Sequence, residues 1–138
     1  MSTLNDAPLP FTDDLDTSGF WRAATEGKIS IRTCEVCEAV LHLPKLYCHN
    51  CQSWETYWRD VRPSGTLYSW TVTVQQLHPA FPTPYTVVLV ELDDAKDARL
   101  IGFLEGTPEL KIGMPMRANF IDAEPGVTLV QWKPRDNS

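Results

Sequence analysis

A mainly β protein of many short elements is what this sequence predicts: one short helix near the N-terminus, a cysteine-rich ribbon, then a five-stranded barrel. Three observations carry that expectation. All four cysteines fall within residues 34–51, CEVCEAVLHLPKLYCHNC, as two C-x2-C pairs ten residues apart. Eleven prolines and seven glycines punctuate 138 residues, which favours short strands and turns over long helices. After residue 63, five segments with strand patterning follow one another across turn residues.

The first twelve residues carry Pro8 and Pro10 and show no apolar periodicity, so they read as an arm ordered only by docking. The helix begins where Thr17 or Ser18 can cap an N-terminus. Asp13, Asp14 and Asp16 suit its positive end, and Gly27 is placed to stop it. Phe20, Trp21 and Ala24 then share a face. So short a helix is not stable alone, so that face lies on the chain's own barrel or on a partner subunit. Phe20 and Trp21 are therefore the candidate partner-binding residues.

Residues 28–33 alternate Ile29 and Ile31 with polar neighbours and lead as a strand into the first cysteine pair. Residues 40–43 read as a second short strand broken by Pro44, and residues 54–61 as a third that returns from the second pair. Each C-x2-C fits a tight knuckle aiming two sulfurs at one point. Two knuckles make a four-cysteine site, with Cys34, Cys37, Cys48 and Cys51 as ligands and zinc as first choice. Iron fits the same sulfur cage, and a disulfide framework is the alternative in an oxidising compartment. Too few apolar side chains lie between the pairs to hold this ribbon without metal, so the zinc is structural. Four thiolates close the coordination sphere, leaving His42 and His49 no ligand role and reading as surface residues.

The turn Pro63, Ser64, Gly65 separates an arm and helix (1–27) and a zinc ribbon (28–62) from the barrel (63–138). In residues 66–76, TLYSWTVTVQQ, strict alternation puts Tyr68, Trp70, Val72 and Val74 on one, buried, face. Residues 85–92, 99–104, 117–121 and 127–132 supply the other four strands. The third and fourth are joined by GTPELKIGMP, where an OB-fold often carries a helix and this chain has room only for a turn. The first two are joined by residues 77–84, LHPAFPTP, longer than a hairpin needs and pre-ordered by three prolines. In an OB-fold this connection lies at the mouth of the ligand-binding face, making His78, Phe81 and the adjoining Tyr85 candidate substrate contacts. The competing expectation is that Phe81 folds back onto the barrel.

Charge excludes some functions. The formal net charge is -6, and about -8 with four thiolates on one Zn²⁺. Twelve scattered basic residues form no stripe for a phosphate backbone, which argues against nucleic acid. No apolar run reaches membrane-span length, and the N-terminus lacks a signal-peptide pattern, so the expectation is a cytoplasmic protein off the membrane. No catalytic set stands out: no activated Ser or Cys, no glycine-rich phosphate loop.

Phe20, Trp21 and Gly27, then RTCEVC, LPKLYCHNC, GTLYSWTVT, the proline loop, YTVVLVEL, IGMPMRANF and GVTLVQWKP, together resemble a known family. It is the acyl-CoA-associated zinc-ribbon (rubredoxin-like) plus OB-fold proteins that accompany thiolase-like enzymes. The resemblance runs from about residue 17 to 134 and is most specific at the two knuckles and at IGMP, residues 112–115. In the family pattern a glycine commonly follows each knuckle, whereas here Glu38 and Gln52 stand there. The resemblance implies a non-catalytic accessory subunit that docks on a thiolase-like acyltransferase, aldolase or hydratase. It would support handling of an acyl-CoA thioester, with steroid side-chain degradation among the settings. The alternatives are a free-standing acyl-CoA binding protein, whose CoA phosphates would need Lys28, Arg32, Lys45 and Arg59, and a nucleic-acid-binding OB-fold.

Overall fold

The computed structural model describes residues 8–135; residues 1–7 of the expected arm lie outside it. Helix α1 spans Ser18–Thr25. Thr17 is its N-cap residue, but the Thr17 hydroxyl bonds Asp14 rather than the helix. Its end is a Schellman turn: Gly27 N–H donates to Ala24 O, Lys28 N–H to Ala23 O, and Gly27 takes φ 72°. The helix packs on β1 (Ile29–Cys34) and on the last strand of the barrel. Gly19 faces the indole of Trp58 so closely that a Cβ there would overlap the ring.

Strand β1 pairs antiparallel with β2 (Thr56–Val61) from Ile29↔Val61 to Cys34↔Thr56. The expected strand at 40–43 reduces to a single bridge, Val40 to Thr33. Leu41 N–H still reaches Arg32 O, but the chain then leaves β1, burying Leu41 beside Cys34 and Cys48. Burial of that leucine, with Pro44 unable to donate, outweighs continued pairing.

The second sheet holds β3 (Ser64–Thr73), β4 (Tyr85–Leu92), β5 (Arg99–Glu105), β6 (Pro115–Glu124) and β7 (Val127–Pro134) in the order β5-β4-β3-β6-β7. Residues 106–114 form a turn without a helix. Strands β5 and β7 close the barrel without a ladder. Phe103 N–H donates to the Gln131 side-chain oxygen at 2.6 Å, and Gly102 lets Trp132 approach so that a Cβ would lie 2.7 Å from the indole Cδ1. Trp132, Val88, Val90, Leu92, Met116 and Leu67 fill the interior, and Ile29, Ile31 and Val61 join the same buried cluster. Ribbon and barrel are thus rooted in one core.

Strand β3 corrects the alternation read from sequence. A bulge at Tyr68 shifts the register between Leu67↔Val90 and Ser69↔Leu89. Tyr68 lies on the outer face under the Arg99 guanidinium, 4.1 Å away, while Trp70 and Val72 share the inner face with Val88 and Thr86. That face is nevertheless not covered: Trp70 is 37%, Val72 40% and Val74 76% exposed.

At the joint of the two sheets, Arg62 grips Asp94 through Nε at 3.0 Å and a terminal nitrogen at 2.7 Å, and its backbone N–H adds a bond of 2.9 Å. The Arg62 side chain bonded to it holds the Asp94 carboxyl down at about 2. A carboxyl depressed in the folded state stabilises fully above its unfolded value of about 4 and stops doing so as pH falls through 2. Acid titration of urea stability should show the parent exceeding Asp94→Asn at neutral pH, with the gap closing between about pH 4 and 2. Gly19→Ala raises helix propensity by about 1 kcal/mol, yet should lower stability by about 1–3 kcal/mol in thermal melts because the methyl displaces Trp58.

Candidate metal centre and flanking clefts

The knuckles are built by backbone bonds onto sulfur. Val36 and Cys37 N–H groups donate to Cys34 Sγ at 3.3 and 3.5 Å, and Cys51 N–H donates to Cys48 Sγ at 3.5 Å. Glu38 N–H and Gln52 N–H reach back to Cys34 O and Cys48 O at 3.0 and 2.9 Å. Closing each turn requires a left-handed residue at that position, and Glu38 (φ 63°) and Gln52 (φ 67°) adopt it despite their side chains. The absent glycines therefore change the strain of the knuckles and not their shape.

All four sulfurs lie within 4.8 Å of one another. The separations Cys34–Cys51 (3.5 Å) and Cys37–Cys48 (3.6 Å) are far too long for disulfides. They approach the edge of a tetrahedron with metal–sulfur bonds of about 2.3 Å, roughly 3.8 Å. Asn50 Nδ2 donates to Cys37 Sγ at 3.3 Å and is the first cause of that thiol's fall to about 6. The Cys37 N–H lowers Cys34 as well. Cys51 moves up to about 12 because its sulfur is desolvated among the other three, although the residue's outer edge is exposed. This donor set fits zinc or iron, with no side chain left to vary the coordination.

Two clefts lie away from this centre, and residues 42–44 of the ribbon border the first. One, about 550 Å³, lies between α1, residues 42–44 and strands β5 and β7, with Phe20 and Trp21 in its wall. Their rings meet edge to face at 5.0 Å; both are half-buried, and Phe20 packs on the barrel core. His42, read from sequence as a surface residue, is half-buried here, and burial lowers its pKa while a bond to the Arg99 backbone partly restores it. Only the path of residues 41–44 across β5 brings His42 to this wall, which no local pattern announces.

The second cleft, about 820 Å³, runs under the proline loop between β5, β6 and β7. Phe81 lines it and also folds back, 6.0 Å from Phe103 and 6.3 Å from Tyr85. His78 stacks 5.8 Å from Phe81 and accepts the Ala80 N–H on Nδ1 at 3.0 Å. The loop thus gathers His78, Phe81 and Tyr85 into one aromatic group, of which Phe81 alone lines the cleft. Three of the four basic residues offered for CoA phosphates are engaged within the chain. Lys28 pairs with Glu26 and Asp60, Arg32 bonds Thr56 and lies over Trp58, and Arg59 reaches Asp94 O.

Similarity to known proteins settles the family. A chain of the solved structure described as the Ltp2-ChsH2(DUF35) aldolase superposes with TM-score 0.79 and 31% identity, covering 91% of this chain and 98% of that one. The chain belongs to the ChsH2 DUF35 family. Residues 58–120 match the family model for the ChsH2 C-terminal OB-fold domain. The probable enoyl-CoA hydratase alpha subunit of Thermomonospora curvata is 35% identical over 122 residues, and the 3-oxo-4,17-pregnadiene-20-carboxyl-CoA hydratase alpha subunit of Mycobacterium tuberculosis is 36% identical over 72. These cover 85% and 51% of the chain, which spans only 37% and 22% of the two relatives. A DUF35 protein of unknown function from Sulfolobus solfataricus, with TM-score 0.59 and 15% identity over 86% of the chain and 84% of its own, shares the fold. The chain joins a four-cysteine zinc-ribbon fold to an OB-fold. Among the described residues no helix is long and apolar enough to cross a membrane.

Relief of left-handed strain gives a direct test of the knuckles. Gln52→Gly should keep the metal and hold or raise the melting temperature, since αL costs a non-glycine about 1–2 kcal/mol, whereas Gln52→Val should lower both melting temperature and bound metal by elemental analysis.

Proposed function

We propose that this chain is a non-catalytic accessory subunit that docks on a thiolase-like acyltransferase or aldolase. There it supports handling of an acyl-CoA thioester, in a pathway such as steroid side-chain degradation. The observation that carries this reading is the match, over nearly the whole of both chains, to a ChsH2(DUF35) chain of an aldolase. The hydratase alpha subunits among the relatives act in acyl-CoA chemistry by their names, which supports the same class of thioester substrate.

The physical chemistry of the chain agrees with a supporting role. Cys34, Cys37, Cys48 and Cys51 would hold a structural Zn²⁺, whose charge would neutralise the converging thiolates and fix the ribbon. Closed by four thiolates, such a centre would offer no site to substrate. Unpaired thiols suit the reducing cytoplasm. The proposed division is an arm and helix (1–27), ribbon (28–62) and OB-fold (63–138). Phe20 and Trp21 would meet the enzyme at the first cleft, and Phe81, held by His78 and Tyr85, would meet substrate at the second. The dispersal of Lys28, Arg32 and Arg59 into internal contacts disfavours a free-standing CoA carrier, since no phosphate clamp remains among them.

Co-expression with a thiolase-like enzyme of the Ltp2 type tests this reading. The two should co-purify, and carbon–carbon bond cleavage of an acyl-CoA substrate by the enzyme alone should be at least about tenfold slower, a difference of about 1.4 kcal/mol in the barrier. Cys34→Ser should release the partner and the zinc together. Full activity of the enzyme without this chain would overturn the proposal.

A further inference from the structure

The inner face and free edge of β3 are an unfinished sheet. On one side β3 is paired with β4 along its length; on the other it meets β6 only from Ser64↔Arg117 to Thr66↔Pro115. Leu67 completes that contact through Met114 O and Gly113 N. From Tyr68 to Thr73 that edge has no strand beside it among the described residues. Trp70 and Val72 stand exposed on the inner side, and Val74 is exposed just beyond the strand. Exposed edges in single-chain proteins are commonly guarded by charge, proline or a bulge that turns them away. Here no Asp, Glu, Lys or Arg occurs between Arg62 and Glu91, and the one bulge precedes the free stretch.

We propose that this edge pairs with the same edge of a second copy of the chain, joining two barrels through a continuous β3–β3 ladder. The stretch is self-complementary about Thr71. Antiparallel pairing across a two-fold axis places Trp70 opposite Val72 twice on the inner face. On the outer face it places Ser69 opposite Thr73 twice and Thr71 opposite itself. Aromatic with β-branched and Ser/Thr with Thr are the favourable cross-strand pairs, and no like charges meet. A two-fold interface needs such a self-matching patch. An apolar row that neither barrel covers alone would become the floor between the two. This goes beyond the accessory role and does not depend on it.

Light scattering of the metal-loaded full chain tests the pairing at concentrations up to about 100 μM, where mass action favours even a weak dimer. The expected mass is twice 15.6 kDa. Val72→Lys should halve it with an unchanged far-UV spectrum, because Val72 is already 40% exposed in the isolated chain. Ile101→Lys, on β5 and more exposed still at 68%, should leave the dimer intact. Hydrogen exchange should show amides 69–73 protected in the parent and open in Val72→Lys. A monomeric parent, or a dimer that Val72→Lys leaves whole, overturns the proposal. So does a monomer whose Val72→Lys variant loses only a co-expressed catalytic partner, which would give the edge to that partner's strand instead.

Discussion

Four sulfurs brought within 4.8 Å of one another are the constraint on which the ribbon depends. Like charges in so small a volume repel, and neutral thiols make weak hydrogen bonds, so a cation among the sulfurs would reinforce the closure that the backbone bonds begin. Everything the ribbon presents follows from that closure. Leu41 is buried between Cys34 and Cys48, the chain turns at residues 42–44, and His42 and Leu43 are delivered to the cleft beside α1. A local cluster of thiols thereby shapes a surface well away from itself.

The other end of the ribbon is held by apolar burial rather than by sulfur. Ile29, Ile31 and Val61 belong to the barrel's own core, and Arg62 with Asp94 clamps the joint from outside. The ribbon is therefore no tethered appendage whose angle is free. Helix α1 completes the seam by laying Phe20 on the barrel and Gly19 on Trp58, which ties helix, ribbon and barrel into one packed unit. In such a unit, a metal held at one end would bear on the cleft at the other through contiguous packing.

The barrel closes with little hydrogen bonding to spare. A side-chain oxygen on Gln131 and the lack of a Cβ at Gly102 stand in for a ladder between β5 and β7, and among the described residues one edge of β3 lacks a neighbouring strand over half its length. Both features are compatible with a protein whose final surface is made with other chains. Exposed aromatic and valine side chains on β3 are costly for a free subunit and useful at an interface.

Much of this was legible in the residues. The spacing of the cysteines determined the knuckles, because two residues between ligands admit one tight turn, and apolar alternation with turn residues determined the five barrel strands and the absence of a helix at 106–114. Glu38 and Gln52, out of keeping with the glycine pattern, still did not alter the turn, since its backbone bonds outweigh a modest left-handed penalty. What only the tertiary structure decided are the places where distant segments compete for the same backbone or surface. Residues 40–43 gave up strand pairing to bury Leu41, Tyr68 was thrown to the outer face by a bulge, and His42 was carried into a cleft. The open side of β3 was invisible in a pattern that read as a buried face. Alternation records which side chains share a face and carries no information on whether the chain holds a second layer to cover it.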